Sequence, residues 1–167
     1  MKTKLAIIGS TLLPLFLSAF AQGADLPQSA RPGTLNYVEG EASVGKQSLN
    51  AKSVGKVEMR PGQSLNTEAG KGEILLTPGV FLRLGDRSSA KMISPNLLDT
   101  EMALSQGEAL VEVTEIHKEN RLRIIKGGKT TDLLKTGLYD FDADRHQVRV
   151  FDGKAVVEDG HQSQSRT

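Results

Sequence analysis

The amino-acid sequence predicts an all-β fold: a single domain of short antiparallel strands forming a twisted β-sandwich or short β-roll, behind an N-terminal signal peptide. Three observations lead there. Beyond residue 33, apolar and polar residues alternate at a period of two, as side chains do on the two faces of a strand. Glycines recur between these stretches, at Gly40, Gly45, Gly55, Gly62, Gly70, Gly79, Gly85, Gly107, Gly128, Gly137 and Gly153, a spacing that suits turns of a sandwich or barrel. Only Pro95 to Ala103, where Leu97, Leu98 and Met102 fall at near-helical spacing, competes as a helix, and it is short and weakly capped.

The chain opens with Lys2 and Lys4, the apolar run Leu5 to Phe20, and small residues at Ala19 and Ala21. This is the layout of a signal peptide (residues 1–21), cleaved after Ala21. An uncleaved anchor is disfavoured, because the run is short for the ~20 residues a spanning helix needs and contains Gly9 and Pro14. The expectation is therefore a periplasmic or secreted protein with no transmembrane span after cleavage. Residues 22–32 are polar and contain proline, and read as a flexible leader. The domain is expected over 33–160, and 161–167, with nothing to bury, as a disordered tail.

Within the domain, Val80 to Leu84 is the clearest strand, with Val80, Leu82 and Leu84 on one face and Phe81 and Arg83 on the other. Glu108 to Val113 and Gln147 to Phe151 repeat the pattern. Further strands are expected near Leu35–Val38, Val57–Met59, Ile74–Leu76, Leu122–Ile125, Leu138–Phe141 and Ala155–Val157. Gly85-Asp86 and Asp152-Gly153 suit hairpin turns, because these residues tolerate positive φ.

Composition narrows the function. Without cysteine, an exported domain is stabilised by packing and backbone pairing alone, which fits a bacterial periplasm better than an animal secretion. The 21 basic and 20 acidic residues nearly cancel and are interspersed, so nothing steers the chain toward nucleic acid. Two Tyr, five Phe and no Trp leave little stacking surface for sugars or unpaired bases.

Several segments together resemble the FecR domain family: Pro61-Gly62-Gln63-Ser64-Leu65-Asn66-Thr67, Gly72 to Leu76 with Leu82-Arg83-Leu84, Leu104 to Val111, Thr136 to Phe141, and Val148 to Val150 followed by Asp152 to Val157. The resemblance spans about Gly33 to Asp159. It implies an all-β fold of stacked sheets or a short roll, with no catalytic residues and no cofactor. Family regulators relay a signal from outside to a cytoplasmic sigma-factor-binding segment. Here only Met1 to Lys4 precede the apolar run, too little to bury the ~1,000 Å² of a specific interface, so a relay through this chain is not expected.

Gly127-Gly128-Lys129-Thr130-Thr131 hints at a phosphate loop, but Arg123 stands where that loop needs glycine, and a turn between strands is the better reading. Asp140, Asp142 and Asp144 would share one face of a strand; a calcium loop starting there would need Gly at Arg145 and Glu at Phe151, so a solvated acidic face is preferred to a metal site. His117, His146 and His161 lack zinc spacing, and there is neither a Gly-x-Ser-x-Gly elbow nor a thiol. The residues singled out for an interface are Arg83, mid-strand between two leucines, and an aromatic patch of Phe81, Tyr139 and Phe141, should these share a face. The expected function is a non-enzymatic binding or regulatory module contacting another envelope protein or polymer. The alternatives are a structural subunit of an envelope assembly and a hydrolase with a dispersed site.

Overall fold

The computed structural model describes residues 31–159, and the expected signal peptide, residues 22–30 of the leader and the tail lie outside them. Twelve strands form one sheet: β1 (Thr34–Val44), β2 (Gln47–Ser48), β3 (Ser64–Thr77), β4 (Val80–Leu84), β5 (Ser89–Asn96), β6 (Asp99–Gln106), β7 (Glu108–Val113), β8 (Arg121–Lys126), β9 (Lys129–Leu133), β10 (Gly137–Asp142), β11 (Gln147–Asp152) and β12 (Ala155–Asp159). The strand order is β11-β10-β7-β4-β3-β5-β6-β8-β9-β12, with β1 on the far side of β3 and β2 beside β1.

The sheet folds on itself because two strands are long and bent. The C-terminal part of β3, Gly72–Thr77, pairs with β4, whereas Ser64–Asn66 pairs with β5. β1 follows the same bend along the other edge of β3, with Gly40 opposite Gly70 and a register shift between Gly40 and Ala42. Both glycines are required there. A β-carbon on Gly40, whose φ is +67°, would lie 2.2 Å from the Ala69 carbonyl oxygen, and one on Gly70 would lie 2.5 Å from that of Glu39. The result is a nearly closed, barrel-like sandwich whose halves face each other across one core.

Alternation builds that core. Val80, Leu82 and Leu84 of β4, Ala109, Val111 and Val113 of β7, and Leu122 and Ile124 of β8 all point inward and are buried with Leu35, Ile74, Met92 and Met102. Each fully buried Val, Leu, Ile or Met among them contributes roughly 1.5–3 kcal/mol. Buried hydroxyls fasten the bend. Thr67 Oγ1 donates to the Gly85 carbonyl at 2.5 Å and accepts from the Ser88 amide at 3.0 Å, while Ser88 Oγ accepts from the Glu108 amide at 3.0 Å.

Several expectations need correction. The strands are not uniformly antiparallel: β6 and β8 run parallel, because β7 between them lies in the other half of the fold and returns the chain in the same direction. Pro95–Ala103 is a strand hairpin, with Leu97 and Leu98 exposed in its turn and Met102 buried. Val57–Met59 does not form a strand; it meets β1 through an isolated bridge between Thr34 and Glu58. Neither expected glycine hairpin forms. Gly85-Asp86 lies between β4 and β5, and Gly153 between β11 and β12, and in both cases the flanking strands pair with other partners. These turns are corners where the chain crosses from one half of the sandwich to the other.

Candidate functional site

The four residues singled out in the sequence do not form one surface. On β10, Tyr139 and Phe141 face Val111 and Ala109, inside the core, and both are fully buried. Phe81 lies on the opposite face of the sheet, across from Leu75 and Glu112. The proposed aromatic patch is therefore absent, because β4 and β10 present opposite parities of their alternation to solvent. Arg83 does face outward, but its guanidinium is engaged by Glu73 on β3 and, at 2.7 Å, by Glu112 on β7. Glu73 also accepts from Asn36. Arg83 ties three strands together.

The same device recurs. Arg123 on β8 contacts Asp99 and Glu101, each at 2.7 Å, and Arg149 on β11 contacts Asp140 at 2.5 Å. All three arginines sit between apolar neighbours, in Leu82-Arg83-Leu84, Leu122-Arg123-Ile124 and Val148-Arg149-Val150. That recurrence was the signal in the sequence for outward arginines matched by cross-strand carboxylates. It also overturns the reading of Asp140 and Asp142 as a solvated acidic face. Both are buried, Asp140 beside Arg149 and Asp142 near Arg145 at 3.5 Å, while Asp144 accepts from the Gly107 amide. Gly127 and Gly128, with φ of +56° and +80°, make the tight turn from β8 to β9, so Lys129-Thr130-Thr131 enters a strand and not a phosphate-binding helix. His117 pairs with Glu115 on the surface, His146 occupies the β10–β11 turn, and His161 lies outside the described residues.

What the sequence did not single out is the side of the sandwich opposite the β1–β3 bend. The sheet ends there in β11 and β12, which follow each other in the chain, yet among the described residues they do not pair with each other. Val150 stands opposite fully buried Tyr139 and Val157 opposite buried Thr131, so both point toward the core side, yet they are 44% and 50% exposed. Phe151 is 63% exposed and Val156 41%. Two half-paired strands thus flank an open seam with apolar walls.

The ends of the seam are held together. The Tyr139 hydroxyl donates to the Lys135 carbonyl at 2.6 Å and accepts from the Lys154 amide at 3.0 Å, pinning the β9–β10 and β11–β12 crossings at one point. Gly153 is needed beneath it, since a β-carbon there would lie 2.2 Å from that hydroxyl. At the other end the Lys126 ammonium, buried on β8, reaches across to the carbonyls of Asp142 and Gln147 at 3.3 Å each. Burial pushes Lys126 below the ordinary lysine range; Asp142 opposes that shift and Lys129 adds to it. Among the described residues no helix is long and apolar enough to cross a membrane. Compared with family models, curated proteins and solved structures, the chain matches none.

Proposed function

We propose that this chain is an exported, non-catalytic, FecR-like binding module that takes an extended segment of another envelope protein along β11 or β12. The observation that carries the reading is the open seam: two terminal strands, each hydrogen-bonded on one side only, with Val150, Phe151, Val156 and Val157 half-exposed beside them. An added strand would satisfy the free backbone groups and cover these side chains, the chemistry of strand addition. At roughly 25 cal/mol per Å², covering four such side chains contributes on the order of a few kcal/mol before ordering costs, enough for selective but reversible pairing. Export rests on the basic, apolar and small-residue order of residues 1–21, and the family reading on the segments from Pro61 to Val157.

The test is site-specific photo-crosslinking in the envelope, with the reactive group placed at Phe151, at Val157 and, as a control, at Leu97. One dominant partner captured from Phe151 or Val157 but not from Leu97 is the expected result. Cross-links to a second copy of this chain, or equal capture from all three positions, would contradict it.

A further inference from the structure

A second surface carries chemistry of a different kind. Between β2 and β3 the chain crosses the edge of β1 through residues 49–63, and this crossing is fixed by backbone bonds: Leu35 N to Val57 O and Met59 N to Gly33 O at 2.9 Å each, and Val57 N to Ser53 O at 3.0 Å. The single 3-10 turn within it, Ala51–Ser53, is capped by Asn50. Beside this crossing lies an open cleft of about 750 Å³, walled by Arg31, Lys52, Lys56 and Arg60, with Glu58 the one carboxylate among its lining residues.

This is a departure from the rest of the domain. Residues 31–159 carry 18 Lys or Arg against 19 Asp or Glu, close to balance. Elsewhere Arg83, Arg123, Arg145, Arg149 and Lys129 each lie within 4.0 Å of a carboxylate, while others, Lys71, Lys91 and Lys118 among them, enter no ion pair among the described residues. The four cations of the cleft also enter no ion pair among the described residues; what sets them apart is that they line one concavity with a single carboxylate among them. Four like charges around one concavity repel one another, and an anion seated between them reverses the sign of that interaction. Lysine and arginine together supply both compact point charges and planar forks, the donor set that suits phosphate oxygens. We propose that this cleft binds a soluble ligand bearing clustered phosphates. A concave, loop-walled site of this volume suits a small oligophosphate better than the flat surface of a membrane.

The experiment is calorimetric titration of the full chain with tripolyphosphate at low ionic strength, alongside co-sedimentation with vesicles rich in phosphatidylglycerol. Saturable tripolyphosphate binding is expected, weakening as salt is raised. The triple variant Lys52→Gln/Lys56→Gln/Arg60→Gln should lose at least about tenfold in affinity, whereas Lys71→Gln/Lys91→Gln/Lys118→Gln, of equal charge change on other exposed positions, should stay within about twofold. No binding of tripolyphosphate, equal losses in both variants, or binding to vesicles alone would overturn the proposal. The photo-crosslinking result at β11 and β12 is independent of this outcome.

Discussion

The two sides of the sandwich solve the same problem differently. At the β1–β3 bend, the outer edge of β1 is covered at its two ends by residues 47–59, whose amides and carbonyls bond to Gly33, Leu35 and Ala42 and whose β2 pairs with Ser43 and Val44. On the opposite side β11 and β12 do not pair with each other among the described residues, and the gap is bridged by Tyr139 and the Leu134 amide to Lys154 carbonyl bond at one end and by Lys126 at the other. A domain without disulfides thus braces both ends of one edge with its own backbone and leaves β11 and β12 each paired on one side only. Unpaired edges invite association, and proteins ordinarily blunt them. Here β11 and β12 instead expose Val150, Phe151, Val156 and Val157, which is why this side is read as the functional one.

Substitutions should separate the sides. Gly40→Val places a branched side chain against the Ala69 carbonyl in a backbone conformation that disfavours it, and should cost roughly 3–5 kcal/mol in denaturant unfolding. A loss under about 1 kcal/mol would mean that the bend is not needed to close the fold. Tyr139→Phe leaves the Lys135 carbonyl and Lys154 amide without their partner, and about 1–3 kcal/mol should be lost. Phe151→Ser, at the open edge, should change stability by no more than about 0.5 kcal/mol while abolishing capture of a partner; a large destabilisation would show that Phe151 belongs to the core.

The smallest effect concerns Lys126. Because burial lowers its pKa, the unfolded chain holds more protons between that lowered value and about 10.4, and stability rises with pH across the window. The wild type should therefore gain stability relative to Lys126→Met as pH increases there. Parallel stability–pH curves for the two proteins would remove the desolvated ammonium from the account.

Much of the fold was legible because alternation is a local signal. Val80–Leu84 and Glu108–Val113 are strands with the bounds their pattern gives. β5, β6 and β9 were harder: Lys129-Thr130-Thr131-Asp132 has little apolar contrast, and Leu97-Leu98 imitates a helix although both leucines sit in a turn. The site was less legible still. Asp152-Gly153-Lys154 has hairpin chemistry, and no local rule reveals that β11 will pair with β10 and β12 with β9, leaving the two apart. Nor does alternation say which parity faces the core, so it does not reveal that Tyr139 and Phe141 are buried while Phe151 is exposed.

Amide hydrogen exchange followed residue by residue tests the central claim most directly. Core amides of β3 and β7 should exchange only through global unfolding, and the alternate amides of β11 and β12 that point away from β10 and β9 should exchange at least about a hundredfold faster. Protection across β11 and β12 equal to that of β3 would mean the seam is closed in solution, and the binding surface proposed here would not exist.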